Sequence, residues 1–239
     1  MSFPLPYHLY ALGDSAITIE WSNKIDPLIN EEVIARFREF RENPLPGTKA
    51  LVPAYSSLTV YFDMATVKLK TLPYETAYDC MRNEIGLRLE IPVKKRNENT
   101  RLIRIPVCYE LPFAPDLTEA AKLKDLSTEE LILLHSAKIY RVYMIGFLPG
   151  FAYMGEVDER ISLPRKPQPV PTVAGSVGIA GRQTGIYPLD SPGGWQIIGK
   201  TPLKMFDPKR KEPSLLRAGD EVEFFRVSAE EFHQLKTEY

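Results

Sequence analysis

The first 21 residues carry a pattern typical of β-strands. Two apolar stretches within residues 7–21 flank Gly13, and in the second stretch Ile17, Ile19 and Trp21 alternate with smaller or polar residues. An alternation of period two is typical of a strand with one buried face. The pattern therefore predicts two strands that meet at this glycine.

A helical pattern follows these strands. Asp26 can cap a helix that begins with Pro27, and the helix is expected to end before Pro44. The apolar residues that share one face of this helix are Ile29, Val33, Phe37 and Phe40.

The same order of elements is predicted a second time. Two strands are expected at about 49–53 and 57–63, followed by a helix from near Pro73 to Gly86 and a last strand at 87–93. Two strand–strand–helix units closed by a strand predict an α+β N-terminal domain with its helices on one face of a sheet.

The polar segment KKRNENT, residues 94–100, is the predicted boundary between domains because it is charged and lacks periodicity. We therefore expect an α+β domain over residues 1–95 and a second domain over residues 100–239. The second domain is expected to be mainly β, either a barrel or a sandwich. Its predicted strands lie at 101–107, 139–147 and 220–227, and its predicted helices at 128–138 and 230–236.

Two capping boxes are predicted in this second domain. Asp116 with Glu119, and Ser127 with Glu130, have the spacing at which an N-cap side chain and the residue three positions later bond each other's backbone. Each pair predicts the start of a short helix.

Residues 145–206 concentrate the turn-forming residues of the chain. This stretch contains ten of the 14 glycines and eight of the 21 prolines, interleaved with aromatic residues that a disordered linker would lack. It is therefore predicted to form ordered loops and short strands that line a surface.

Composition and charge exclude several classes of protein. A formal net charge of −1 and a sequence pI near 6.4 give no electrostatic reason to expect binding to nucleic acid or to a membrane surface. No apolar run approaches the ~18 residues needed to span a bilayer, and the N-terminus lacks a secretory pattern. A cytoplasmic protein with reduced, structural Cys80 and Cys108 is expected, and a single disulfide remains the alternative.

The chain lacks the common catalytic motifs for phosphate binding, dinucleotide binding, zinc proteolysis and serine hydrolysis. A self-contained nucleotide-hydrolysing enzyme and a metal site are therefore not expected, and no catalytic residue is assigned. Of the three histidines, His8 is expected to be packed or at a sheet edge, and His233 to be solvated. His135 is expected in the core or in a cap, with a ligand or base role as the alternative.

The glycine- and proline-rich stretch supplies the candidate binding residues. Its aromatic residues form either a buried corner or an apolar wall for a ligand or peptide. Arg165 follows a proline, so its guanidinium is either a preorganised fork for a carboxylate or half of a surface ion pair. The residues predicted to bind a small polar ligand or an extended peptide are Phe147, Phe151, Tyr153, Arg165, Ser176, Gln183, Tyr187 and Trp195.

The chain resembles the KipI/PxpB family, whose members are also called 5-oxoprolinase B subunits or allophanate hydrolase subunit 1. The matching segments include GDSA at 13–16, PAYSSL at 53–58, IPVCY at 105–109, YRVYMIGFLPGFAY at 140–153 and AGSVGIAGRQTGIYPLDSPGGWQIIGKTP at 174–202. Two segments differ from the family pattern. Residues 169–176 read PVPTVAGS, where the family usually has Val-Pro-Ala-Gly-Ser preceded by a second arginine, and Glu110-Leu111 replaces the glycine pair that often follows the Cys-Tyr.

The resemblance implies a cyclophilin-like barrel for the second domain. It also implies a subunit that is not active alone and that works with KipA/PxpC-like and PxpA-like subunits. Such a complex converts 5-oxo-L-proline to L-glutamate with ATP that this chain alone does not bind. The alternative implied by the family is a regulatory protein that binds and inhibits a sensor histidine kinase.

Overall fold

A computed structural model describes residues 5–68, 76–93 and 100–238. The chain divides into two compact units, residues 1–98 and residues 99–239.

The described residues of the first unit form an antiparallel sheet and helices. In chain order the elements are β1 (His8–Ala11), β2 (Ala16–Glu20), α1 (Pro27–Glu42), β3 (Thr48–Pro53), β4 (Ser57–Phe62), α2 (Met64–Lys68) and α3 (Ala77–Glu90). The sheet has four strands in the order β1-β2-β4-β3.

The core of this unit forms from the apolar residues that the sequence pattern places on one face of each element. The strands contribute the buried residues Ile17, Ile19, Leu58 and Val60, and the helices contribute Val33, Phe40, Met81 and Ile85. Asp26 caps α1 as predicted, because its carboxylate accepts hydrogen bonds from the backbone of Leu28 and Ile29.

The end of this unit differs from the prediction. The expected helix start near Pro73 lies outside the described residues. Helix α3 passes through Gly86 and continues to Glu90, so the strand predicted at 87–93 is wrong. Met81, Ile85 and Leu89 are buried at a spacing of four residues, and this helical stripe overrides the short alternation of Leu87, Leu89 and Ile91.

Arg36 explains why α3 ends without a glycine cap. Its guanidinium is buried and donates to the carbonyl oxygens of Arg88, Leu89 and Ile91, each 2.9 Å away. Its Nε atom donates to Glu32 at 2.8 Å. The side chain of α1 thus satisfies backbone acceptors that a helix C-terminus otherwise leaves open.

The second unit is built on a closed barrel of seven strands. These strands are β5 (Leu102–Cys108), β6 (Ile139–Ile145), β7 (Ala152–Gly155), β9 (Ser176–Ala180), β10 (Gln183–Ile186), β12 (Gln196–Lys200) and β13 (Glu221–Val227). Their order around the barrel is β10-β7-β6-β13-β5-β12-β9, and neighbours are antiparallel except β5 and β13, which are parallel. The sequence left a barrel and a sandwich as alternatives for the second domain, and the closed barrel confirms the first of them.

Helices and a short ribbon complete the described part of this unit. The helices are α4 (Leu117–Leu123), α5 (Thr128–Ser136) and α6 (Ala229–Glu238), with a 3₁₀ helix at Glu159–Ile161. Strands β8 (Val170–Thr172) and β11 (Ser191–Gly193) form a separate two-stranded ribbon. Both strands of the ribbon come from the glycine- and proline-rich stretch.

The two predicted capping boxes have different outcomes. Ser127 and Glu130 form the expected reciprocal bonds at the start of α5. Asp116 precedes α4 but makes no side-chain cap, so its capping box with Glu119 is wrong. The carboxylate of Asp116 instead bonds the backbone N–H of Ile197 and the ammonium group of Lys166.

Candidate functional site

The predicted aromatic residues meet at one place on the barrel unit. The ring of Phe151 lies at the centre, with ring centroids of Tyr153, Tyr187 and Trp195 at 4.7, 5.2 and 5.4 Å. Phe151, Tyr187 and Trp195 are buried. They therefore form a packed aromatic cluster whose principal contacts are with one another.

Phe147 is the exposed member of the predicted aromatic set. The residue is 63% exposed, although the centroid of its ring lies 5.6 Å from that of Phe151. Its φ angle is +68°, a conformation that a bulky residue rarely adopts. The turn that imposes this angle is closed by hydrogen bonds from the backbone of Gly146 to Phe151 and of Phe151 to Leu148. An apolar ring held outward in this way is available to a ligand or a partner.

Small residues allow the aromatic cluster to pack closely. A Cβ atom on Gly185 would lie 3.0 Å from Trp195 and 3.1 Å from Phe151, and one on Gly178 would lie 3.1 Å from Cβ of Trp195. Gly178 and Gly185 therefore leave room for the side chain of Trp195.

Arg165 and Gln183 lie at the edge of this cluster. Arg165 is exposed, and its positive charge opposes the increase in pKa that burial causes at Tyr153 and Tyr187. Gln183 is half-buried at the start of β10 and pairs with Gly155 and Ala180. Both remain candidates for contact with a ligand or partner.

A pocket of about 370 Å³ opens beside the ribbon of β8 and β11. Ser176 is the residue of the predicted set that lines it. The lining residues are Pro112, Phe113, Pro115, Asp116, Lys166, Val170, Pro171, Thr172, Val173, Ser176, Ile197 and Lys200. This volume falls in the range of small-molecule sites in proteins.

Asp116 and Lys166 form a fixed ion pair in the wall of this pocket. Oδ2 of Asp116 lies 2.6 Å from Nζ of Lys166 and accepts a 2.6 Å hydrogen bond from the backbone N–H of Ile197. The backbone N–H of Asp116 donates to the carbonyl of Ile197 at 3.0 Å. Because β12 holds both the backbone and the carboxylate of Asp116, the carboxylate in turn fixes the ammonium group of Lys166.

Lys200 supplies a second cation at the end of β12. Burial lowers its pKa, the charge of Lys236 lowers it further, and the charge of Asp190 raises it. Within residues 5–68, 76–93 and 100–238, no carboxylate forms an ion pair with its ammonium group. The lining of the pocket thus contains two cations and one anion.

Sequence reasoning missed Asp116, Lys166 and Lys200 as members of one site. The spacing of Asp116 matches a helix cap, and Lys166 and Lys200 carry no motif. What brings them together are long-range bonds to β12 and the residue before Trp195: Asp116 bonds the backbone of Ile197, and the backbone N–H of Lys166 donates to the carbonyl of Gly194. No local sequence pattern shows these bonds. The one usable signal is the long match to the family over residues 174–202, which ends around Lys200.

His135 lies inside the barrel, as the core prediction expected. Its side chain is fully buried, its Nδ1 atom is 2.9 Å from the hydroxyl of Tyr109, and its ring stacks on Phe224. Burial lowers the pKa of His135 to about 3, so the ring is neutral near pH 7. A buried neutral imidazole bonded at both nitrogens is a structural element of the core.

In the part of the chain that the structure describes, no group of three or more His, Cys, Asp or Glu residues is placed to hold a metal ion. None of the described helices combines the length and apolar character needed to cross a bilayer.

Comparison with known proteins identifies the family. The Carboxyltransferase domain, subdomain C and D, matches residues 7–216. The chain is 45% identical to the 5-oxoprolinase B subunit of Bacillus subtilis over 97% of its own length and 98% of that protein. It is 38% identical to the 5-oxoprolinase B subunit of Escherichia coli O157:H7 over 90% of its length and 94% of that protein.

Solved structures share the fold. A conserved uncharacterized protein from Pyrococcus horikoshii, PH0987, is 38% identical with a TM-score of 0.54 over 94% of this chain and all of that chain. The protein TTHA0988 is 33% identical with a TM-score of 0.76 over 90% of this chain, which spans 40% of that longer chain. The near full-length matches to the bacterial proteins show that this chain belongs to the family of 5-oxoprolinase B subunits, within the carboxyltransferase C and D subdomain group.

Proposed function

We propose that the chain is the non-nucleotide-binding subunit of an ATP-dependent 5-oxoprolinase complex that converts 5-oxo-L-proline to L-glutamate. The observation that carries this proposal is the 45% identity to the 5-oxoprolinase B subunit of Bacillus subtilis over nearly the whole of both chains. A match that extends over both units supports a shared role of the complete fold more strongly than a shared barrel would.

The proposal includes partner subunits that bind ATP. The sequence lacks nucleotide-binding motifs, so ATP is assigned to a KipA/PxpC-like or PxpA-like subunit. The matches to short portions of urea amidolyase support a role as one component of a larger assembly. A cytoplasmic location and a cyclophilin-like class for the barrel are parts of the same proposal.

The test is purification of the tagged chain from its own cells, followed by an assay of ATP hydrolysis with and without 5-oxo-L-proline. Recovery of two further subunits with oxoproline-stimulated hydrolysis is the expected result. The proposal would be contradicted if the chain purified alone and ATP hydrolysis in the preparation did not respond to oxoproline. Recovery of a sensor histidine kinase, with inhibition of its autophosphorylation, would instead favour the regulatory alternative.

A further inference from the structure

We propose that the pocket beside the β8–β11 ribbon is the subsite for the substrate carboxylate, with Lys166 and Lys200 as its cationic contacts. This inference rests on the proposed function for the identity of the ligand, 5-oxo-L-proline. The chemical class of the ligand follows from the lining of the pocket: a small carboxylate with a compact apolar body.

The charges of the lining residues favour an anionic ligand. Lys166 and Lys200 line one pocket together with a single carboxylate, Asp116, and so leave an excess positive charge. The carboxylate is already engaged by the backbone of Ile197 and by Lys166. Lys200 has no ion-pair partner in the described part of the chain, and Asp190 acts on it only as a nearby charge, so an anionic ligand would stabilise its partly buried ammonium group.

The ammonium group of Lys166 is held in a fixed position. Nζ of Lys166 is held 2.6 Å from Asp116, which is itself anchored to β12. The ammonium group has three donors, and the ion pair uses one of them. A preorganised donor loses little conformational freedom on binding and therefore contributes more to affinity than a mobile surface lysine does.

The other lining residues match a small, mainly apolar ligand. Ser176 is buried at the start of β9 and is one of the residues that line the pocket. Phe113, Val170 and Ile197 supply apolar surface beside it. A serine and two lysines among apolar residues suit a small ring compound with one carboxylate, and the volume of about 370 Å³ lies at the small end of the range for ligand sites.

The test compares two lysine variants with a matched surface lysine in the purified complex. Lys200→Gln and Lys166→Gln are each expected to raise the KM for 5-oxo-L-proline about tenfold or more, because each removes a charge-assisted hydrogen bond. The KM for ATP should not change. Lys209→Gln, at an exposed lysine outside the pocket, should leave both values unchanged.

A ligand titration of the isolated chain complements the kinetics. In saturation-transfer NMR, 5-oxo-L-proline is expected to bind the wild-type chain, and 2-pyrrolidinone, the same ring without a carboxylate, about tenfold more weakly or worse. Lys200→Gln breaks no ion pair among the described residues, so it remains informative if Lys166→Gln fails to fold.

The outcomes separate the two proposals. A complex that hydrolyses ATP in response to oxoproline with an unchanged KM in both pocket variants would overturn the pocket assignment and leave the proposed function intact. If the wild-type complex shows no oxoproline response, the proposed function fails. The titration then tests the pocket assignment: equal binding of 5-oxo-L-proline by wild type and Lys200→Gln, or equal binding of 2-pyrrolidinone and 5-oxo-L-proline by wild type, rejects it.

Discussion

Inside the barrel, Nε2 of His135 lies 2.9 Å from Oγ1 of Thr184, and this hydroxyl gives its only proton to the carbonyl of Gly178 at 3.1 Å. The hydroxyl must therefore accept from the imidazole, so Nε2 carries the ring proton. Nδ1 is then the acceptor for the hydroxyl of Tyr109. Through these bonds the end of α5 is tied to the barrel strands β9 and β10.

We expect this histidine to make the barrel sensitive to acid. Its pKa is about 3 in the folded protein and near 6.5 in the unfolded chain, so the unfolded state binds the proton more readily. Its contribution to stability is full above pH 6.5 and decreases as the pH falls from 6.5 towards 3. Between about pH 7.5 and about pH 5 the loss is about 2 kcal/mol.

Urea denaturation at the two pH values measures this loss. His135→Gln, which does not titrate, should be destabilised overall but should lose less stability than wild type on acidification. His8→Gln, at an exposed strand position, should retain the pH response of the wild type. An identical response in His135→Gln would show that other groups cause the acid sensitivity.

Arg36 is predicted to be the most costly arginine to replace in the first unit. Arg36→Lys removes the fork that bonds the carbonyls at the end of α3 and leaves buried acceptors open, at a cost of about 3 kcal/mol or more. Arg82→Lys, at an exposed position of the same helix, should change stability by less than ~0.5 kcal/mol. Thermal denaturation of both variants compares them, and equal midpoints would contradict the role of Arg36.

Two adjacent glycines give a matched test of the ribbon. A Cβ atom on Gly193 would lie 2.5 Å from the hydroxyl of Tyr187 and 2.8 Å from that of Thr172, whereas one on Gly194 meets nothing closer than 3.8 Å. Gly193→Ala should therefore cost about 1–3 kcal/mol, because buried Tyr187 cannot move aside. Gly194→Ala should be close to neutral in the same denaturation assay. Equal stability of the two variants would show that the ribbon yields to the added methyl group.

Gly86→Ala is expected to stabilise the first unit. Gly86 lies inside α3, and an added Cβ atom would meet no atom within 4 Å. Alanine should add about 0.5–1 kcal/mol through its higher helix propensity. A lower melting temperature would instead mean that the helix ends at this glycine, as the sequence pattern alone predicts.

The elements that the sequence predicts well are those in which one local rule dominates. Asp26 followed by Pro27 starts α1, and the alternation around Ile17 and Ile19 gives β2. Gly86 misleads because glycine marks helix ends only on average, while here the buried stripe through Ile85 and Leu89 continues the helix. Tertiary burial therefore overrides the local stop signal.

The candidate site is less accessible to sequence reasoning for a related reason. Asp116 has the spacing of a helix cap, yet its carboxylate is used by Lys166 and by the backbone of Ile197. A short sequence pattern cannot predict that a side chain will bond residues distant in the sequence when its spacing matches a local cap. Such departures from local rules concentrate at functional sites. The aromatic residues stand out in the sequence because their setting among glycines and prolines is unusual, and most of them prove to be packed together.

The parallel pairing of β13 with β5 bears on the order in which the chain can fold. The first sheet needs only residues up to Phe62, so it can form while later residues are still being synthesised. The barrel cannot close before Val227 has left the ribosome, because β13 must enter between β5 and β6. Until then both strands present open edges that invite pairing with other chains, so the barrel half is where chaperone protection would be needed during synthesis.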